Sequence, residues 1–293
     1  MDDAALSVWL QLREAADWRA RSVALTQAIV ETLLRDRSVC VLDLAAGAGS
    51  NLRYLVERLP TQQRWLLVDR SAALLSEAET RTRAWAAERG YAVDNDTREG
   101  AGFSVAGPRL DCRVEMRAQD LGSLDDREIF AGRHLVTASA LLDLVSETWL
   151  RTLASRCRGA GAAALFTITY DGRFSCAPPE PEDERVRGLM NEHQRRDKGL
   201  GGPAEGPDAA ACAMRCFADE GYQVTSEASD WVLAPGDAAM QHALIDGWAE
   251  AASEVTPGDA AMVASWRARR LAHVNEGTSH LVVGHRDVAA WRK

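Results

Sequence analysis

Lysine is almost missing from this chain. Lys198 and Lys293 are its only two, and nearly every positive charge is an arginine. We read that as a codon-usage signature. A basic surplus is missing as well: 34 Lys and Arg stand against 43 Asp and Glu, for a formal net charge of -9. A protein that grips a nucleic-acid backbone usually carries a basic face, so a nucleic-acid substrate is not expected. No CxxC pair occurs among the six cysteines, Cys40, Cys112, Cys157, Cys176, Cys212 and Cys216. Their wide spread excludes a disulfide framework and gives no zinc-ligand spacing, so no metal is expected. Cys212 and Cys216 share a helical face and read as small core residues. The opening Met-Asp-Asp-Ala lacks the apolar region of a signal peptide, and no run of about 18 apolar residues occurs. A cytoplasmic enzyme without membrane contact, monomer or homodimer, is the expectation. There is no internal repeat and no low-complexity tract.

What is present is apolar content, 46% over 293 residues, enough for a well-filled core. Residues 4–35 read as helical. Ser38–Leu44 is a short β-branched run of the kind buried in parallel sheets. A helix at Asn51–Leu59 follows, closed by Pro60. Strands at Trp65–Val68, Cys112–Met116, Leu135–Ala138 and Ala162–Tyr170 alternate with helices at Ala72–Arg89 and Glu147–Cys157. Residues 90–109 read as a polar loop. Strand and helix in alternation imply a doubly wound, mostly parallel sheet with helices on both faces.

Residues 171–207, rich in Pro, Glu, Arg and Gly, break the rhythm. A segment of that length inside a compact domain is usually a lid or binding loop, with a helix possible at Asp183–Lys198. Helices at Asp208–Glu220, Asp237–Ser253 and Pro257–Val274 follow, with strands within Tyr222–Leu233 and at His280–His285. The expected division is an N-terminal helical cover, 1–37, and an α/β domain, 38–293. That domain holds a lid insertion near 171–207 and extra helices near 237–274.

The motif that carries chemistry is Val41-Leu42-Asp43-Leu44-Ala45-Ala46-Gly47-Ala48-Gly49-Ser50-Asn51. A strand runs into a turn of small residues and then a helix, which lets a ligand approach the backbone closely. Twenty positions after Gly49 comes Asp69, placed to accept from the hydroxyls of a ribose. Asp120-Leu121 follows the third strand, an acid for an exocyclic amine beside an apolar cover for a ring.

This ordered set resembles the class I S-adenosylmethionine-dependent methyltransferases over about residues 20–170. The resemblance implies a seven-stranded Rossmann-like sheet with S-adenosylmethionine as cofactor and S-adenosylhomocysteine as product. It places Asp43, Ala45, Gly47, Gly49 and Asn51 at the cofactor turn. Asp69 with Arg70 would serve the ribose, and Asp120 with Leu121 the adenine. Val136–Ser146 looks like the family's fourth-strand motif beside the methyl group, which brings in Ser139. Ala45 stands where the family usually has glycine, and is tolerable there if its φ stays negative. A dinucleotide fingerprint would want a third glycine where Leu52 stands.

The expected activity is methyl transfer to a small-molecule acceptor at O, N or C. The alternatives are a binding protein that has lost its chemistry and a nicotinamide-dependent oxidoreductase. Candidate catalytic residues are His193 in the polar insertion, Asp143 and Tyr170; Asp143 has the equal alternative of a helix N-cap. His134, His242, His273, His280 and His285 read as surface or core residues. Trp9, Arg13, Asp17, Trp18 and Arg21 form a helical stripe. It reads as core plus a salt-bridged face, with Arg13 the candidate for the methionine carboxylate or a substrate acid.

Overall fold

A computed structural model describes residues 2–33, 38–95 and 102–292. The N-terminal segment is two helices, α1 (Asp3–Ala20) and α2 (Val23–Leu33). Asp2 caps α1 by accepting from the Ala5 amide at 2.8 Å, where an acid also suits the helix dipole. The chain breaks at Arg21-Ser22 because Ser22 begins a new cap: its Oγ accepts from the Leu25 amide at 3.1 Å. Periodicity alone runs across that break. Residues 34 and 35 of the expected helix, and the boundary at 37, lie outside the described residues.

The first half of the α/β unit is β1 (Val39–Leu44), α3 (Ser50–Leu55), β2 (Gln62–Asp69), α4 (Ala72–Glu88), β3 (Ala92–Asn95), β4 (Gly102–Gly107) and β5 (Leu110–Ala118). The second half is β6 (Leu135–Ser139), α5 (Glu147–Ala160), β7 (Ala163–Ala177), α6 (Asp183–Gln194), α7 (Ala209–Asp219), β8 (Gln223–Ala228), β9 (Trp231–Leu233), α8 (Ala238–Val255), α9 (Ala260–Asn275) and β10 (His280–Trp291).

Seven strands run in the order β5-β2-β1-β6-β7-β10-β8. The first five are mutually parallel. β10 is antiparallel to both of its neighbours. Three further strands bring the sheet to ten: β3 and β4 extend the β5 edge, and β9 pairs with β10. The expected loop at 90–109 is therefore, where described, a pair of strands. The reason is alternation: Phe103 and Val105 are buried, while Ser104 and Ala106 turn outward. The two bounding glycines masked that period-two pattern. Residues 96–101 lie outside the described set.

The expected lid also begins differently. Residues 171–177 prolong β7, and 174–177 pair with β10 from His280 to Val283 past an irregularity in the register. Past them, α6 packs with α8 and α9 around Trp248, which stacks on Phe174 with ring centres 4.1 Å apart. Arg270 of α9, fully buried, donates to Asp183 and to the Pro178 carbonyl. Asp183 also accepts from the Trp266 indole at 2.8 Å. The insertion and the two later helices thus share one apolar core. Two other cores fill the faces of the sheet, one under α5 and α7 and one under α2, α3 and α4. No helix among the described residues is long and apolar enough to cross a membrane.

Candidate active site

β1 ends in Asp43-Leu44, and the chain turns sharply through Ala45 to Gly49. Gly47 and Gly49 take positive φ, and so does Ala45, at 51°. The condition that Ala45 keep a negative φ is not met: this alanine holds a left-handed conformation that disfavours any residue with a Cβ. The turn is sewn to β2. The Ala46 amide donates to the Val68 carbonyl at 3.0 Å, and the Gly47 amide donates to Asp69 Oδ2 at 2.8 Å. Asp69 Oδ1 accepts from the Ser71 amide at 2.9 Å. Gly49 caps α3, and a Cβ there would stand 3.0 Å from the Ala78 Cβ. Gly49 therefore serves the packing of α3 on α4, whatever ligand the turn accepts.

Asp43 is fully buried. Its Oδ1 accepts from Asn51 Nδ2 at 2.8 Å, while its Oδ2 has no partner. Burial pushes its carboxyl up to about 7, against the opposing pull of Asn51 and Arg21. Asn51 in turn accepts from Arg21 Nη1 at 2.5 Å, and Arg21 Nη2 donates to Ser139 Oγ at 3.1 Å. One polar chain thus joins the end of β1, the start of α3, the end of β6 and the α1–α2 junction. Above it lies a recess lined by Leu10, Arg13 and Glu14 of α1, by Asp43 and the turn, and by Asn51 and Ser139. Helix α1 roofs the turn closely: a Cβ on Gly47 would meet Leu10 Cδ1 at 3.0 Å.

Of the residues expected at the cofactor, the structure gathers Arg13, Asp43, Ala45, Gly47, Asn51 and Ser139 at this recess. Asp69 touches it through Gly47. Arg70 is exposed. Asp120 is exposed and accepts from the Gly122 amide at 2.5 Å, and Leu121 is buried among core residues under α5.

A second polar group lies past Ser139. Asp143 sits in a short 3-10 turn, Leu142–Leu144, with its Oδ1 buried and unpartnered. Burial raises its carboxyl to about 6, while the amides of Asp143 and Tyr170 and the charges of Arg13 and Lys198 pull it down. It is not a helix cap: Ser146 caps α5, accepting from the Trp149 amide at 3.2 Å. Tyr170 is 5% exposed and donates its hydroxyl to Asn191 of α6 at 2.9 Å. Burial drives its phenol far above the usual range, so it acts as a neutral donor.

His193 stands apart from this group. Its Nε2 lies 3.1 Å from Glu254 of α8, and Lys198 Nζ lies 3.5 Å from its Nδ1. Burial and the Lys198 charge lower its basicity.

Three residues around Arg13 are not among the candidates. Arg13 pairs with Asp17 at 3.1 Å and lies over the ring of Trp231. Trp231 donates to Asp17 at 3.0 Å and packs on His285, ring centres 4.3 Å apart. Burial, then the Arg13 charge, holds His285 down to about 3, so its imidazole is neutral at ordinary pH. Asp17 was visible only as part of a stripe. His285 and Trp231 come from the far C-terminal part of the chain, and only the topology brings them under α1.

No family model matches the chain. Among curated proteins, ribosomal RNA small subunit methyltransferase H of Chromohalobacter salexigens is 44% identical over 66 residues. The match spans 22% of this chain and 20% of that protein. Among solved structures, the cyclopropane synthase MmaA2 from Mycobacterium tuberculosis aligns with a TM-score of 0.46 at 10% identity, covering 92% of this chain and 84% of that one. The YcgJ protein from Bacillus subtilis aligns at 0.46 and 14%, covering 93% and 100%. A phosphoethanolamine N-methyltransferase from Haemonchus contortus, in complex with S-adenosylhomocysteine, aligns at 0.45 and 12%, covering 100% and 58%.

Proposed function

We propose that this chain is a class I S-adenosylmethionine-dependent methyltransferase acting on a small-molecule acceptor. The observation that carries the reading is the position of the recess. It opens outside the carboxyl ends of β1 and β6, the two strands between which the order of the sheet reverses. Open α/β sheets bind ligands at that switch point.

The groups present suit a nucleoside bearing an amino acid. Asp43 keeps one buried oxygen unpartnered, a place for a cationic donor such as an ammonium. Asp69 spends one hydrogen bond per oxygen on the backbone, which leaves lone pairs for ribose hydroxyls. A pyrophosphate fits worse, because Asp43 and Glu14 both face the recess. The 66-residue match to a methyltransferase is in keeping with this choice.

S-adenosylmethionine, when bound, supplies a methyl group on a sulfonium that needs no further activation. The work left to the chain is to align an acceptor, exclude water and, for a neutral hydroxyl or protonated amine, take a proton. Helix α1 excludes water by roofing the turn. Asp143 is the proposed proton acceptor, since its carboxyl titrates near the useful range and one oxygen is unspent. Tyr170 holds α6 against β7 through Asn191. His193 is proposed to act through Lys198, whose charge reaches both His193 and Asp143.

The test is calorimetry with S-adenosylhomocysteine, with NAD and NADP as controls. Micromolar binding of the first alone is expected. No binding of it, or tighter binding of a dinucleotide, overturns the reading. A net charge of -9 favours a small acceptor over ribosomal RNA.

A further inference from the structure

We propose that Glu147, Glu205, Cys212 and Cys216 form a binding site for one thiophilic divalent cation of the zinc class. A carboxylate oxygen of Glu147, one of Glu205 and the Cys212 sulfur all lie within 4.8 Å of one another. Cys216 adds a second sulfur 4.0 Å from the first, one helical turn along α7. Two thiolates bound tetrahedrally at about 2.3 Å from zinc stand about 3.8 Å apart, so the sulfurs are already at the spacing the ion needs. Closing the shell takes rotamer changes in both carboxylates, since Cys216 lies outside the group of three donors that stand within 4.8 Å of one another.

Both thiols are buried, and among the described residues their only hydrogen-bond partner is each other. The Glu205 carboxylate has no hydrogen bond or ion pair among the described residues. Glu147 is held by Arg151 at 2.6 Å, through the same oxygen that accepts from Arg151 Nε. That is an exposed pair of the kind that yields readily. Without a cation, two acids beside two thiols oppose thiolate formation, and a cation reverses that balance.

The site is separate from the recess, and its occupancy does not depend on what the recess binds. Four protein donors would close the coordination sphere, which marks a structural site. Its place says what it would hold. Glu147 opens α5, directly after the turn that carries Asp143. Glu205 ends the segment that follows α6 and is already fixed there by its amide, which donates to the Val145 carbonyl at 2.9 Å. A cation would pin that segment to α5 and α7.

The experiment titrates the chelator-treated chain with Cd2+, then with Zn2+ as competitor, following sulfur-to-metal charge-transfer absorption. One Cd2+ per chain is expected, displaced by Zn2+. The band should vanish in the Cys212→Ser/Cys216→Ser double variant, and Glu205→Gln should weaken binding about tenfold or more. Absence of the band in the wild type overturns the proposal. So does a band that persists in the double variant, which would place the metal on the partly exposed Cys40 or Cys176. If circular dichroism shows the double variant unfolded, Glu205→Gln and Glu147→Gln decide alone, and wild-type affinity in both refutes the site.

Discussion

Ala45 offers the sharpest check on the geometry of the turn after β1. It holds φ of 51°, in the left-handed region that costs a residue with a Cβ about 1–2 kcal/mol. Replacing it with glycine removes that cost and adds the extra chain entropy of glycine, about 0.5–1 kcal/mol. The net expectation for Ala45→Gly is a gain of about 0.5–1 kcal/mol. Urea denaturation reads it as a higher midpoint at unchanged slope. Ala46→Gly is the control. Its residue is buried and absent from the positive-φ set, so glycine there brings only entropy and a lost methyl, a loss of about 1 kcal/mol or more. If Ala45→Gly is destabilised as much as Ala46→Gly, the left-handed turn is wrong, and with it the close approach on which the recess depends.

The reverse change at Gly49 should be severe: Gly49→Ala strains φ of 78° and crowds Ala78, a loss of about 2 kcal/mol or more by the same urea assay. Asp43 gives a pH signature. Its native carboxyl titrates at about 7 against 3.8 for the ordinary group, so its stabilisation is full at low pH and is lost as pH rises through 7. Asp43→Asn should therefore gain on the wild type by on the order of 2 kcal/mol between about pH 5 and pH 8, and a flat difference would refute the assignment. Asp69→Ala should weaken S-adenosylhomocysteine binding more than tenfold by calorimetry. It should also cost about 2–4 kcal/mol of stability, because two backbone amides lose a charged partner. Asp143→Asn should keep S-adenosylhomocysteine affinity and lose most turnover. His193→Ala should also keep affinity but slow turnover more mildly, and equal losses in the two variants would count against an indirect role for His193.

The strand-turn-helix at Asp43–Asn51 was legible because its pattern is local: apolar run, small residues, polar helix start. The parallel alternation around it was legible for the same reason. The β3–β4 pair was not, since glycines at 102 and 107 bracket an alternation only a few residues long. The extension of β7 past Tyr170 was hidden because its partner, β10, lies at the other end of the chain. The same distance hid Trp231 and His285, and no spacing rule links them to Arg13. The joining of the 171–207 insertion to the helices at 237–274 rests on the pairing of Arg270 with Asp183, 87 positions apart, which no local pattern announces. Arg21 was visible as part of a stripe, but its reach to Asn51 and Ser139 depends on the break at Ser22.

β10, the last strand in the described chain, lies inside the sheet and is, among the described residues, the only strand partner of β8 and β9. Its Asp287 also accepts from the amides of Ser22 and Ile168, both at 2.8 Å. The junction that aims Arg21 at the recess is thus tied down by a residue 265 positions further along the chain. A growing chain can make β1, the turn and α3 early and dock α1 on them through Glu14–Arg53 and Asp3–Ser71, yet the α1–α2 junction lacks its Asp287 anchor until β10 inserts. A chain cut before His280 therefore loses that anchor without losing one residue that lines the recess.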